Sequence, residues 1–220
     1  MKYILLFIVW INTIFYEESK EFYEMTGADF MSQPSVNQPI DVRNPDIGLL
    51  DAALFHATNE QRIKNNLPLF SYNISIHKAA ISHSEDMIEQ NFYNHINPFS
   101  NRKLGDRISG FTIEFKRMAE NIAQHDLIET DKNPNYCFAY PKNENDFIFR
   151  DCQTKQPLSM MTYVKFARNL VNSWMNSPHH RDNILNPQHT YMACSARLSK
   201  NPFREAKSPF ARITQDFGGM

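Results

Sequence analysis

From Ile47 onward, apolar residues return at helical spacing. Leu50, Ala53, Leu54 and Ala57 share a face, and Asp46 stands where an N-cap belongs, predicting a helix that opens near Ile47. Leu67-Pro68-Leu69 interrupts that pattern. A second helix is predicted from about Ile74: Ile76, Ala79, Ala80, His83 and Met87 share one face, and Glu85, Asp86 and Glu89 lie off it. Residues 94–98 read as a Pro-containing loop, followed by a short charged segment to Ile108. Tyr163, Phe166, Ala167, Leu170, Val171 and Trp174 form a strong amphipathic face that ends near Asn176-Ser177-Pro178. Two β-like stretches, 191–198 and 210–217, close the chain. Helices first and strands late predict an α+β domain, with helices packed on a small antiparallel sheet.

The pattern breaks in three places. Residues 3–16 are almost uninterruptedly apolar, between Lys2 and the pair Glu17 and Glu18. The run is short for a membrane span and suits a signal peptide. No A-x-A site follows, so an uncleaved anchor and a buried N-terminal element stay open beside it. Residues 1–20 are thus expected to be a signal peptide or N-terminal anchor. Residues 21–46 carry Pro34, Pro39 and Pro45 among Ser, Asn and Gln, and are expected to be a linker. The ordered domain is expected over 47–220. Within it, residues 126–160 are turn-rich and unperiodic, as in Asp131-Lys132-Asn133-Pro134, and read as a long loop or small hairpin.

Composition narrows the classes. With 42% hydrophobic and 13% aromatic residues there is enough bulk for a core, which excludes a wholly disordered chain. A net charge of −1 argues against nucleic acid as a partner. Three cysteines are too few for a disulfide-built scaffold. Cys137 and Cys152 lie in a polar stretch and Cys194 in an apolar one. In an oxidising compartment this predicts a Cys137–Cys152 bridge and a buried free Cys194; in a reducing one, three thiols.

No HExxH, GxSxG, CxxC or phosphate-loop signature occurs. A Cys–His pair would have to use Cys194, whose apolar setting fits an inert packing thiol. What remains is polar groups beside structural punctuation. His95 sits in a Pro-containing loop, His179 and His180 follow Ser177-Pro178, and Glu120 is the single acid of its segment. Two imidazoles and a carboxylate suit a divalent metal with an open water position, or general acid–base work. His83, on a helical core face, reads as a satisfied core histidine. His56, His77, His125 and His189 stay unassigned.

Five stretches taken in order resemble one family. Asn59…Arg62 with Leu67-Pro68-Leu69, then Ala80…His83-Ser84…Met87 with Asn91-Phe92…His95, then Ala119-Glu120-Asn121-Ile122-Ala123, come first. Trp174 through Pro187, containing His180-Arg181-Asp182-Asn183-Ile184-Leu185, and Thr214-Gln215-Asp216-Phe217-Gly218 complete the set. They resemble the boxes of the bacterial type of the CAP superfamily, the cysteine-rich secretory, antigen 5 and pathogenesis-related-1 proteins, also called SCP-domain proteins.

The resemblance implies an α-β-α sandwich with a central antiparallel sheet between helical layers. It implies a cleft lined by His95, Glu120 and His180, with His95 and His180 as metal ligands for zinc or another divalent cation. A further glutamate of eukaryotic members is replaced by Ser177. About 30 residues within 126–160 look like an insertion. The function implied first is a secreted, non-catalytic binding or effector module, with lipid or sterol among its relatives' ligands and an extracellular ligand or protein as partner. One alternative is a metal-dependent hydrolase with Glu120 as base. Another is a cell-surface interaction protein acting through the insertion.

Overall fold

A computed structural model of the chain describes residues 20–110, 115–129, 136–139, 148–199 and 208–220. The expected leader, residues 1–20, lies outside them except for Lys20. Among the described residues, no helix is long and apolar enough to cross a membrane.

The predicted helices form where the periodicity places them, each with a side-chain cap. In chain order the helices are α1 (Gly27–Ser32), α2 (Ile47–Lys64), α3 (Ile74–Glu89), α4 (Leu104–Ser109), α5 (Tyr163–Asn176) and α6 (Pro178–Leu185). Asp46 accepts from the Leu49 amide, Asn73 from Ser75 and Ile76, and Thr162 from Lys165. Each satisfies backbone donors that the first helical turn leaves unpaired. Pro178 opens α6 at the first helical position, where its missing N–H costs nothing.

Four strands form the central sheet in the order β1 (Ser71–Tyr72), β5 (Tyr191–Leu198), β6 (Phe210–Gly219) and β2 (Arg117–Asp126). The three long strands are antiparallel, and the two-residue β1 lies parallel to β5 at one edge. The period-2 alternation of strands sends successive side chains to opposite layers. From β5 and β6, Met192, Cys194, Ala196, Ile213 and Phe217 enter the larger core with α2 and α5. Ala193 packs with Ile76, Ala79 and Ile108 of α3 and α4 on the other face. The result is the α-β-α sandwich.

Residues 21–46 correct the expected linker. Phe30 and Val36 are fully buried, Ile40 nearly so, and the Ile40 amide donates to the Met161 carbonyl at 2.9 Å. Three prolines hide the periodicity of this stretch, yet its apolar side chains supply a layer over α2. That layer explains why α2 is buried almost all round, including Asp51, His56, Asn59 and Arg62. Its polar groups are satisfied inside: Asp51 accepts from the Ala196 amide at 2.6 Å and pairs with His77 at 3.1 Å.

The insertion contains a hairpin of β3 (Tyr136–Ala139) and β4 (Ile148–Asp151), closed by the expected Cys137–Cys152 disulfide. Phe149, 2% exposed, anchors it. Residues 130–135 and 140–147 of the insertion lie outside the described residues. Cys194 is free and buried, as its apolar run predicts.

Candidate functional site

The site forms at the β2 edge of the sheet, where elements from both helical layers meet. Glu120 and Ile122 project from β2 toward the α3 layer, and Asn121 toward α6. On the first side, the 94–98 loop after α3 carries His95. On the second, α6 carries His180.

Glu120 is the centre of the cluster, its side chain 3% exposed. His95 Nδ1 donates to one carboxylate oxygen at 2.7 Å, and Arg107 of α4 donates in a short contact to the other. Burial pushes the Glu120 carboxyl up. The His95 hydrogen bond and the Arg107 charge reverse this and hold it below its ordinary value. Arg107 is itself fully buried and also donates to the carbonyls of His95 at 3.2 Å and Arg102 at 3.4 Å. It thereby fixes the loop that carries His95. A carboxylate accepts only, so Nδ1 of His95 bears a proton, and in the neutral ring Nε2 is the acceptor. The His95 side chain is 54% exposed.

His180 is half-buried and its neighbour His179 exposed. Burial first, then the charges of His95 and His179, lower the His180 pKa. The backbone of His180 is pinned by Asn121, whose amide donates to its carbonyl at 3.2 Å and to Gln215 at 2.9 Å. Asn183 donates to Asn121 at 2.8 Å, and the Trp174 ring lies 6.4 Å from that of His180. Further back, Arg62 donates to the carbonyls of Ile184 and Asn186 at 3.0 and 2.8 Å, holding the C-terminal end of α6. Ser177 is the junction residue between α5 and α6.

His83, expected to be a core histidine, is fully buried and donates to the Asn94 carbonyl at 2.9 Å. It also stands 4.0 Å from Glu120, and burial lowers its pKa to about 4, so it is neutral. Three further groups thus stand around Glu120 and His180: Arg107, and Asn121 and Asp216, which lie within the family boxes but carry no role there. Asp216 lies opposite Glu120 in the β2–β6 register and is fully buried. The signal for it is the strand pairing, which composition and motif spacing do not carry.

Among the described residues, no group of three or more His, Cys, Asp or Glu is arranged to hold a metal ion. His95 and His180 offer two nitrogens, and both Glu120 oxygens are engaged. Two nitrogens fall short of the three protein ligands of a catalytic zinc site. Held below its ordinary pKa and only 3% exposed, Glu120 is a weak and shielded general base.

Fold and site together define a class: a helix–sheet–helix sandwich whose sheet edge carries a histidine–glutamate cluster braced by a buried arginine. The family model described as "CAP: Cysteine-rich secretory protein family" matches residues 55–205, and the chain belongs to that family. It is 26% identical over 135 residues to the uncharacterized protein YkwD of Bacillus subtilis, covering 61% of this chain and 37% of that one. An extracellular protein containing a SCP domain from Bacillus anthracis is similar in structure, with a TM-score of 0.50 and 23% identity over 78% of this chain and 40% of that one. So is an outer surface protein of Borrelia burgdorferi, with a TM-score of 0.52 and 15% identity over 83% and 98% of the two chains. The chain spans about two fifths of the length of the two Bacillus proteins.

Proposed function

We propose that this chain is an exported, non-catalytic CAP module that binds a ligand in the cleft between His95 and His180. The observation that carries the reading is the state of Glu120. Arg107 and His95 hold it ionised, below its ordinary pKa and 3% exposed, so it orients an imidazole instead of abstracting a proton. In its neutral form His95 offers Nε2 as an acceptor on an exposed surface. The ligand chemistry this recognises is a hydroxyl or N–H donor, with His180 as second contact. Export is supported by the Cys137–Cys152 bridge and by the structural likeness to an extracellular SCP-domain protein and an outer surface protein.

The test is native mass spectrometry of the protein collected from the compartment where it accumulates, beside His95→Ala and His180→Ala. A co-purified mass is expected on the wild type and lost in both variants. Retention of that mass in both variants would remove the cleft from the binding site. In parallel, a peptide and ester panel should show no chelator-sensitive turnover. Turnover abolished by His95→Ala would overturn the non-catalytic reading and restore the hydrolase.

A further inference from the structure

We propose that Asp216 is held as a neutral carboxylic acid that donates a hydrogen bond to Glu120, making it a positioning residue that acts on His95 through Glu120. Three observations on the geometry carry this. Asp216 and Glu120 are direct partners across β2 and β6, so their side chains project side by side on the α3 face. Both are buried, Asp216 completely. Among the described residues, no donor reaches either Asp216 oxygen.

The local charge balance leads to the same state. The groups facing the pair are Arg107 from α4, His83 from α3 and His95 from the 94–98 loop. On β6 itself, Arg212 is committed elsewhere, to the Met87 carbonyl and to Asn91. His83 is neutral, so Arg107 is the buried cation available to two carboxyl groups. Its guanidinium sits on Glu120, together with the His95 N–H, which makes Glu120 the ionised member. Two adjacent buried carboxyls beside one cation keep one proton between them. Burial first, then the Glu120 charge, push the Asp216 carboxyl well above its ordinary range, in agreement.

The consequence reaches the cleft. An ionised Asp216 would repel Glu120 away from the position in which it accepts from His95 Nδ1. A protonated one donates to Glu120 from behind, leaving its two outer contacts in place. The tautomer of His95, and hence the lone pair it offers a ligand, depends on a proton one residue further into the core. The inference does not depend on what the cleft binds.

The test combines spectroscopy and linkage. Infrared difference spectra of the protein carrying isotope-labelled aspartate should contain, at pH 7, the carbonyl band of a protonated carboxylic acid, absent from Asp216→Asn. Asn keeps a donor without a titrating proton. It should therefore preserve the nitrogen NMR signature of the His95 Nδ1–H tautomer, which Asp216→Ala should lose. A folded pKa raised above the unfolded value makes Asp216 stabilising in acid, with that contribution lost as pH rises. The Tm of Asp216→Asn should accordingly gain on wild type by roughly 3 to 5 °C per pH unit above about pH 4. Absence of the acid band in wild type, or a Tm difference that does not vary with pH, would overturn the assignment. The band is read on wild type, so the test stands even if a variant fails to fold.

Discussion

Arg107 and Glu120 each make the other's burial tolerable, and a single substitution at either leaves an uncompensated charge. Arg107→Leu is expected to cost about 3–5 kcal/mol in urea unfolding. The double variant Arg107→Leu/Glu120→Leu should cost less than the sum, because it removes the unpaired charge with its partner. His83 gives a pH dependence of definite sign. Its folded pKa, about 4, lies below the unfolded value, so its contribution is present above about pH 6.5 and is lost as pH falls toward 4. Up to about 3 kcal/mol of stability is expected to disappear over that interval. Melts of His83→Gln should be flatter across it, while the Asp216 contribution runs the opposite way. At this scale the sequence disclosed His95, Glu120 and His180 through their boxes. It hid Arg107 in an ordinary charged segment, and it presented His83 as core because helical spacing reports only which way a side chain points.

Arg62 shows how an element far from the cleft sets it. It is 1% exposed, stacks 4.1 Å over Phe70, and donates to carbonyls at the end of α6. Charge-assisted hydrogen bonds of this kind are worth about 1.5–3 kcal/mol each. Arg62→Leu should lower the unfolding free energy by more than one such bond, and hydrogen exchange in α6 should accelerate while that in α3 does not. Arg62 of that family box is therefore an anchor for the His180 helix. The hairpin in the insertion is a second separable element. The disulfide predicts a single free thiol, Cys194, in denaturant without reductant, read by thiol titration. Caps and periodicity made α2, α3 and α5 legible one by one. The 21–46 stretch was not legible, because prolines break its pattern while its apolar side chains still find a face of α2 to cover.

For the whole molecule, that covering layer decides where the domain begins. Phe30, Val36 and Ile40 are each buried. Full burial of such a side chain is worth about 1.5–3 kcal/mol, so together they rival the roughly 5–15 kcal/mol net stability typical of a domain. A chain starting at Ile47 is expected to lose cooperative melting and resist proteolysis poorly, whereas one starting at Lys20 should melt cooperatively. The order and type of the long elements and the pairing of two cysteines were determined by the sequence, since each rests on local periodicity, polarity or a contiguous box. Only the tertiary structure decided the covering layer, the role of Arg107 and the state of the Glu120–Asp216 pair. Those depend on which groups from distant strands and helices are buried within a few ångströms of one another. Inside a sheet-edge cluster with one cation, neighbours shut off from water decide the charge of a carboxyl, and no local pattern records them.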